Sequence, residues 1–293
     1  MTCFLCGSEQ YDHFERAESF GFPLVYFQCE NCGLVYQSPQ GSQAADPAFY
    51  AETYRQIYQS SVEPTPKDLW VQQHRALSLI SILQTLKIDP PGRILDIGAS
   101  TGVLLEAFHN AFDAAVTGVE PGDAYRQHAE ARGIAMFASV EALLEENPPR
   151  FDLISMIHVL EHLPDPVGML RMIRTDLLKE SGILLLEVPN FYAHDSYELA
   201  HLACYTPHTL QMVLREAGYH VFFFHRHGFP RSSLLNLYLT LLAQPLPDEA
   251  PSLPITRDRL VGLKRQAGMF YRRTVQKLFP QQAWLPLPDE KVG

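Results

Sequence analysis

From residue 93 onward the sequence alternates short, almost wholly apolar runs with amphipathic stretches, and this limits the fold more than any other feature. Residues 94–97, 115–119, 134–137, 151–157 and 182–188 have the length and apolar character of strands buried on both faces. The intervening stretches 102–111, 123–132, 140–146 and 166–178 carry apolar positions at helical spacing. Strand, helix and strand in repetition imply a parallel sheet with helices on both faces. A helix over 207–217 and strands over 219–225 and 234–242 would complete a seven-stranded, open α/β sheet.

The rest of the chain divides around this unit. Residues 1–40 form a small cysteine-bearing module, 41–90 a helical connector or lid, 91–245 the α/β domain, and 246–293 a Pro-rich and then helical extension. Helices are expected over 47–58 and 66–86. The second would bury a face made of Leu69, Val71, Leu77, Ile80, Leu83 and Leu86. Phe49, Tyr50, Tyr54 and Tyr58 can pack as one side of the first helix or form an aromatic wall for a substrate. The tail resumes a helical pattern over 255–278.

Four of the five cysteines form two pairs, Cys3/Cys6 and Cys29/Cys32, with 22 residues between the pairs and a glycine after each. In a reducing compartment such pairs read as a zinc site with four thiolate ligands, and the glycines relieve the tight turns that aim the second thiolate of each pair. A module of this size cannot bury enough apolar area to fold without such a staple. Four thiolates leave no open coordination position, so the expected Zn²⁺ is structural.

Twenty-three basic residues stand against thirty-three acidic ones, for a net charge of −10, with no basic run. Nucleic-acid binding is disfavoured on that ground, since affinity for phosphates comes from clustered Lys and Arg. No stretch approaches the ~20 apolar residues that cross a bilayer, and no signal peptide is visible, so a cytoplasmic protein is expected.

The first strand runs into Gly98-Ala99-Ser100-Thr101-Gly102, a turn in which backbone N–H groups can approach a ligand closely. Asp96 ends that strand and Glu120 follows the second, placed to take both hydroxyls of an adenosine ribose. That acidic position suits a nicotinamide cofactor equally well. The glycine spacing does not, because the dinucleotide fingerprint needs a third glycine that is missing here.

The segment Ile94-Leu95-Asp96-Ile97-Gly98-Ala99-Ser100-Thr101-Gly102 resembles the first motif of class I S-adenosylmethionine (SAM)-dependent methyltransferases. Val116-Thr117-Gly118-Val119-Glu120-Pro121 resembles the acidic motif after their second strand. Residues 151–166, containing His158-Val159-Leu160-Glu161-His162-Leu163-Pro164-Asp165-Pro166, are similar to the fourth-strand block of the small-molecule branch, and the likeness extends over about residues 90–225. It implies a Rossmann-like methyltransferase sheet with SAM as cofactor. By the same likeness Gly98, Ala99 and Gly102 line the methionine and ribose, Asp96 lies near the amino group, and Glu120 holds the ribose hydroxyls. Ser139 and Val140 flank the adenine, and His158 closes the site. Ser100 departs from the family pattern, which has glycine there.

His158 and His201 are the candidate general bases, since imidazole titrates near neutrality. The same histidines can equally be structural, and a divalent metal held by His158, Glu161, His162 and His201 is a third arrangement. The expected acceptor is a small molecule such as a sugar, metabolite or biosynthetic intermediate, covered by residues 46–88 and 191–208. Zinc ribbons precede methyltransferase domains in sugar C-methyltransferases and in a ribosomal RNA guanine methyltransferase group whose histidine-containing second pair this chain lacks. An RNA methyltransferase, a nicotinamide-dependent oxidoreductase and a non-catalytic adaptor are the alternatives.

Overall fold

The computed structural model describes residues 2–37, 64–247 and 254–287. The expected helix over 47–58, with Phe49, Tyr50, Tyr54 and Tyr58, lies outside these residues.

The α/β unit begins with helix α1 (Pro66–Thr85), whose N-terminus is closed by a Thr65/Asp68 capping box and Pro66 in the first turn. Its packed stripe is Ala76, Leu79, Ile80 and Leu83. Leu77 and Leu86, expected on the buried face, are exposed: Leu77, at 58%, lies beside that stripe, and Leu86 is the C-cap residue just beyond the helix end. The order then runs β4 (Arg93–Ile97), α2 (Val103–Phe112), β5 (Ala115–Val119), α3 (Asp123–Glu130), β6 (Ala135–Phe137), α4 (Val140–Glu145), β7 (Phe151–Ile157) and α5 (Pro166–Met172). It continues through β8 (Leu178–Pro189), α6 (Pro207–Glu216), β10 (Tyr219–His227) and β11 (Tyr238–Pro245).

These strands form a seven-stranded sheet in the order β10-β11-β8-β7-β4-β5-β6. The five strands from β8 to β6 are parallel, and β11 runs antiparallel to both its neighbours. Adjacent residues on a strand feed opposite cores. Leu95, Ile154 and Leu184 pack on the side of α5 and α6, whereas Ile94, Leu153 and Leu185 pack against α1 and α2. Strand order reverses between β4 and β7, which opens a crevice at their carboxyl ends.

Expected boundaries shift at several elements: β8 starts at Leu178 rather than 182 and α5 ends at Met172 rather than 178, and two further shifts have a visible cause. The last strand starts at Tyr238 rather than 234, because donors upstream are used in turns: the N–H groups of Arg231 and Ser232 bond to the Gly228 carbonyl, and those of Leu234 and Leu235 to the Ser232 hydroxyl. The tail helix, α7 (Val261–Leu278), starts at 261 rather than 255. The preceding segment is instead a strap, with the Asp258 N–H on the Cys32 carbonyl and His208 on the Thr256 carbonyl.

The N-terminal module contributes β1 (Tyr11–Ser19), β2 (Phe22–Cys29) and β3 (Val35–Gln37). A two-residue strand from the larger unit, β9 (Ala203–Cys204), completes this sheet by pairing with β3. The module is therefore sewn onto the α/β unit: Tyr26 and Gln37 donate to backbone carbonyls of residues 198–201, and Cys3, Cys29 and Cys32 share one core with the central sheet. Helix α7 closes the other side of that loop, with Arg265 and Arg272 donating to the carbonyls of Phe191, Ala193 and His194. No described helix is long and apolar enough to cross a membrane.

Candidate functional site

A cavity of about 770 Å³ lies over the carboxyl ends of β4, β5 and β7, with α1 along one side. Its floor is the turn after β4. Gly98 adopts φ +79°, and a Cβ there would sit 2.3 Å from Val159 Cγ2, so both backbone and space demand glycine. The N–H groups of Gly98 and Ala99 both bond to the Val119 carbonyl, which draws the turn against β5. Ser100 lies in the left-handed region at φ +50°, the conformation glycine would adopt more cheaply. Its Oγ accepts from Gln72 of α1 at 3.2 Å and its N–H donates to Glu120 at 2.9 Å.

Glu120 is buried at the end of β5, and its second oxygen accepts the Gly122 N–H at 2.8 Å. Asp96 accepts from the Ser155 hydroxyl at 2.7 Å. Burial lifts the Asp96 carboxyl to about 7, with Ser155 pulling it down and the Glu120 charge pushing it up. Ser139 caps α4 by accepting the Ala142 N–H, and with Val140 it lines the far end of the cavity. Asp96, Gly98, Ala99, Ser100, Glu120, Ser139, Val140 and His158 thus share one cavity. Gly102 is not among its lining residues. It starts α2 at φ +75°, where a Cβ would meet Ile134 and Ala129 at 2.8 and 2.9 Å, so its place in the turn is steric.

His158 follows β7 with φ +56° and its N–H on the Glu187 carbonyl. Its Nε2 lies 3.3 Å from Glu187 and its Nδ1 3.4 Å from Glu161. Burial and Arg75 push this imidazole toward the neutral form, but the two carboxylates outweigh them and hold its pKa above the ordinary histidine value. Burial alone would raise Glu187; Arg75, at 2.8 Å, together with His158 and His227 keeps it well below the usual carboxylate range. Thr240 donates to the other Glu187 oxygen at 2.8 Å. His201 is buried outside the cavity lining, with Nδ1 on the Ser196 carbonyl, and burial lowers its pKa.

Sequence reasoning missed Gln72, Arg75 and Glu187. Glu187 had left a trace, a carboxylate inside an otherwise apolar strand. Arg75 and Gln72 had not, because only the folded structure shows which face of α1 overhangs the crevice.

In the N-terminal module the four sulfurs of Cys3, Cys6, Cys29 and Cys32 lie within 4.8 Å of one another, with Cys3–Cys32 at 3.6 Å and Cys6–Cys29 at 3.5 Å. Four thiolates around one zinc ion at ~2.3 Å sit about 3.8 Å apart, so this donor set fits that ion. Gly7 and Gly33 turn the chain at φ +68° and +82°, each donating its N–H to the carbonyl of the first cysteine of its pair.

A family model described as a methyltransferase domain matches residues 71–229, more than half the chain. Ubiquinone biosynthesis O-methyltransferase from Pseudomonas aeruginosa strain LESB58 is 34% identical over 105 residues, 33% of this chain and 44% of that protein. The protein of the same name from Haemophilus ducreyi is 34% identical over 109 residues, 33% of this chain and 45% of its own length. The chain thus spans less than half the length of these curated relatives. Among solved structures, the Burkholderia thailandensis 1,6-didemethyltoxoflavin-N1-methyltransferase, with bound 1,6-didemethyltoxoflavin and S-adenosylhomocysteine, superposes with TM-score 0.54 at 18% identity, covering 80% of this chain and all of that one. The CcbJ methyltransferase from Streptomyces caelestis gives 0.51 at 15% identity, covering 69% and 100%. At such identities the likeness is one of fold.

Proposed function

The chain belongs to the methyltransferase-domain family, and from that premise we propose that it transfers a methyl group from SAM to a small-molecule acceptor. One observation carries this reading: the turn after β4, the two acidic strand ends and His158 converge on a single cavity at the point where strand order reverses. Bound there, SAM supplies an electrophilic methyl on a sulfonium.

The residues divide the work. Asp96 faces the cationic end of the cofactor, Glu120 takes the ribose hydroxyls, and Ser139 and Val140 border the adenine. His158 would take the proton of an acceptor atom as that atom takes up the methyl group a bound SAM would supply, the sulfur being the leaving group. Because the leaving group is already good, alignment accounts for most of the rate and the base for the remainder.

A small acceptor is supported by the likeness to ubiquinone biosynthesis O-methyltransferases and by the charge of the N-terminal module. Residues 1–37 carry Glu9, Asp12, Glu15, Glu18 and Glu30, all exposed, against Arg16 alone. Such a surface repels phosphates and speaks against RNA. Cys3, Cys6, Cys29 and Cys32 would hold a structural Zn²⁺ as thiolates, a donor set that suits a reducing, cytoplasmic location. The proposed division is 1–40 for the module, 41–90 for the helical connector, 91–245 for the methyltransferase unit and 246–293 for the C-terminal extension, with α1 of the connector packed on the sheet.

The test is release of S-adenosylhomocysteine from SAM in the presence of panels of phenols, sugars and heterocycles. Turnover that depends on one acceptor class, and is lost in His158→Ala, supports the reading. SAM binding with no turnover on any small acceptor, but turnover on RNA, contradicts it.

A further inference from the structure

Next to the cavity, Glu161, His162 and His201 bring one carboxylate and two imidazoles together, with ligand atoms all within 4.8 Å of one another. Their hydrogen bonds orient both rings in the same sense. His162 Nδ1 lies 2.9 Å from the Ala200 carbonyl and His201 Nδ1 3.2 Å from the Ser196 carbonyl. A carbonyl only accepts, so each Nδ1 carries the proton and each neutral ring presents the Nε2 lone pair. Fixing a histidine tautomer through a backbone carbonyl is how proteins prepare imidazole ligands.

The carboxylate is the independent observation. Glu161 is 1% exposed, and neither of its oxygens has a hydrogen-bond partner. The nearest imidazole nitrogens, His158 Nδ1 at 3.4 Å and His162 Nε2 at 3.9 Å, are farther than the ~2.8 Å of a charge-assisted bond. A buried carboxylate without hydrogen bonds is costly, and a cation between it and the two lone pairs removes that cost. Glu198 adds an oxygen 3.7 Å from His201 Nε2.

We infer that Glu161, His162 and His201 form a divalent transition-metal site, separate from the four cysteines, that opens toward the acceptor end of the cavity through His162. Two imidazoles and a carboxylate select zinc, iron, cobalt or manganese over magnesium or calcium. Metal binding stands on these residues alone. The site's use, anchoring an acceptor oxygen and lowering its pKa beside the transferred methyl, rests on the function proposed above.

The experiment uses the full chain, purified with its cysteine site loaded with zinc. Co²⁺ is titrated in, bound metal is counted by elemental analysis after gel filtration, and visible absorption and SAM binding are followed on the same samples. The expected result is one further equivalent of cobalt with weak d–d bands and no sulfur-to-cobalt charge transfer. That equivalent disappears in Glu161→Gln and in His201→Ala, while zinc content and SAM affinity hold within about threefold. Glu161→Gln, being isosteric, decides the matter if His201→Ala fails to fold. No second equivalent at 1 mM Co²⁺, the outcome if a protonated His158 serves Glu161 instead, overturns the inference, as does a second equivalent that survives both substitutions. Loss of SAM binding in the unsubstituted chain would instead count against the function proposed above.

Discussion

The Nε2 atom of His158 lies 3.3 Å from a carboxylate oxygen of Glu187, which is itself fully buried and held by Arg75 and Thr240. The proposed base at the end of β7 is thereby oriented by a charge on the neighbouring strand. His158→Ala should lower kcat by roughly 10²–10⁴ while changing SAM affinity little, because the base acts in the chemical step. Stopped-flow binding beside steady-state rates separates the two effects.

The same pair sets a pH dependence. A base works unprotonated, and with no cation at Glu161 the Glu161 and Glu187 charges hold the His158 pKa above its ordinary value, so the rising limb of the rate profile measured without added metal should lie alkaline of ~6.5. Glu187→Gln removes one of those charges and should move the limb toward acid. It also breaks a buried ion pair, costing about 3 kcal/mol of stability. A limb that stays in place in the folded variant would place the titrating group elsewhere.

Asp96, lifted to about 7 by burial, should couple cofactor binding to protons. Between ~4 and 7 the folded chain holds a proton that the unfolded chain releases, so this group's contribution to stability is full below that range and lost as pH rises through it. A cationic cofactor favours the ionised form. SAM binding should therefore release a proton near pH 6.5 and tighten by up to about tenfold per unit toward 7. Calorimetry in two buffers of different ionisation enthalpy measures that proton.

At the turn, Ser100→Gly should leave SAM affinity within about threefold and stability within ~1 kcal/mol, since relief at φ +50° offsets the lost bond from Gln72. Glu120→Ala should weaken SAM binding roughly 10- to 100-fold, the effect of losing hydrogen bonds to a charged group. Equilibrium dialysis of the two variants side by side gives both numbers.

Chelation of the cysteine site should be felt beyond the N-terminal module, because β3 pairs with β9 and the cysteines share the central core. Loss of metal, or Cys32→Ser, should lower Tm by roughly 10 °C, the shift expected for about 4 kcal/mol. Hydrogen exchange should rise in residues 196–206 as well as in 2–37. Exchange confined to 2–37 would mean the two units are uncoupled.

Much of this architecture was readable in the sequence because strands buried on both faces have an apolar signature. Asp96 and Glu120 each stand where such a run ends, so their place beside the cavity was legible. The two-residue strand Ala203–Cys204 has no pattern to read and exists only because β3 offers an edge to pair with. Leu77 shows the reverse error: an apolar residue near a helical stripe looked buried, but packing selected Ala76 and Leu79. Arg75 and Gln72 reach the site through that same packing, which sequence periodicity does not specify in three dimensions.

The cofactor assignment is tested most directly by a calorimetric titration of SAM, and separately of NAD, into the purified chain. SAM should bind saturably at 1:1, more weakly in Glu120→Ala, and NAD should not bind. Binding of NAD alone, or of neither, would contradict that assignment.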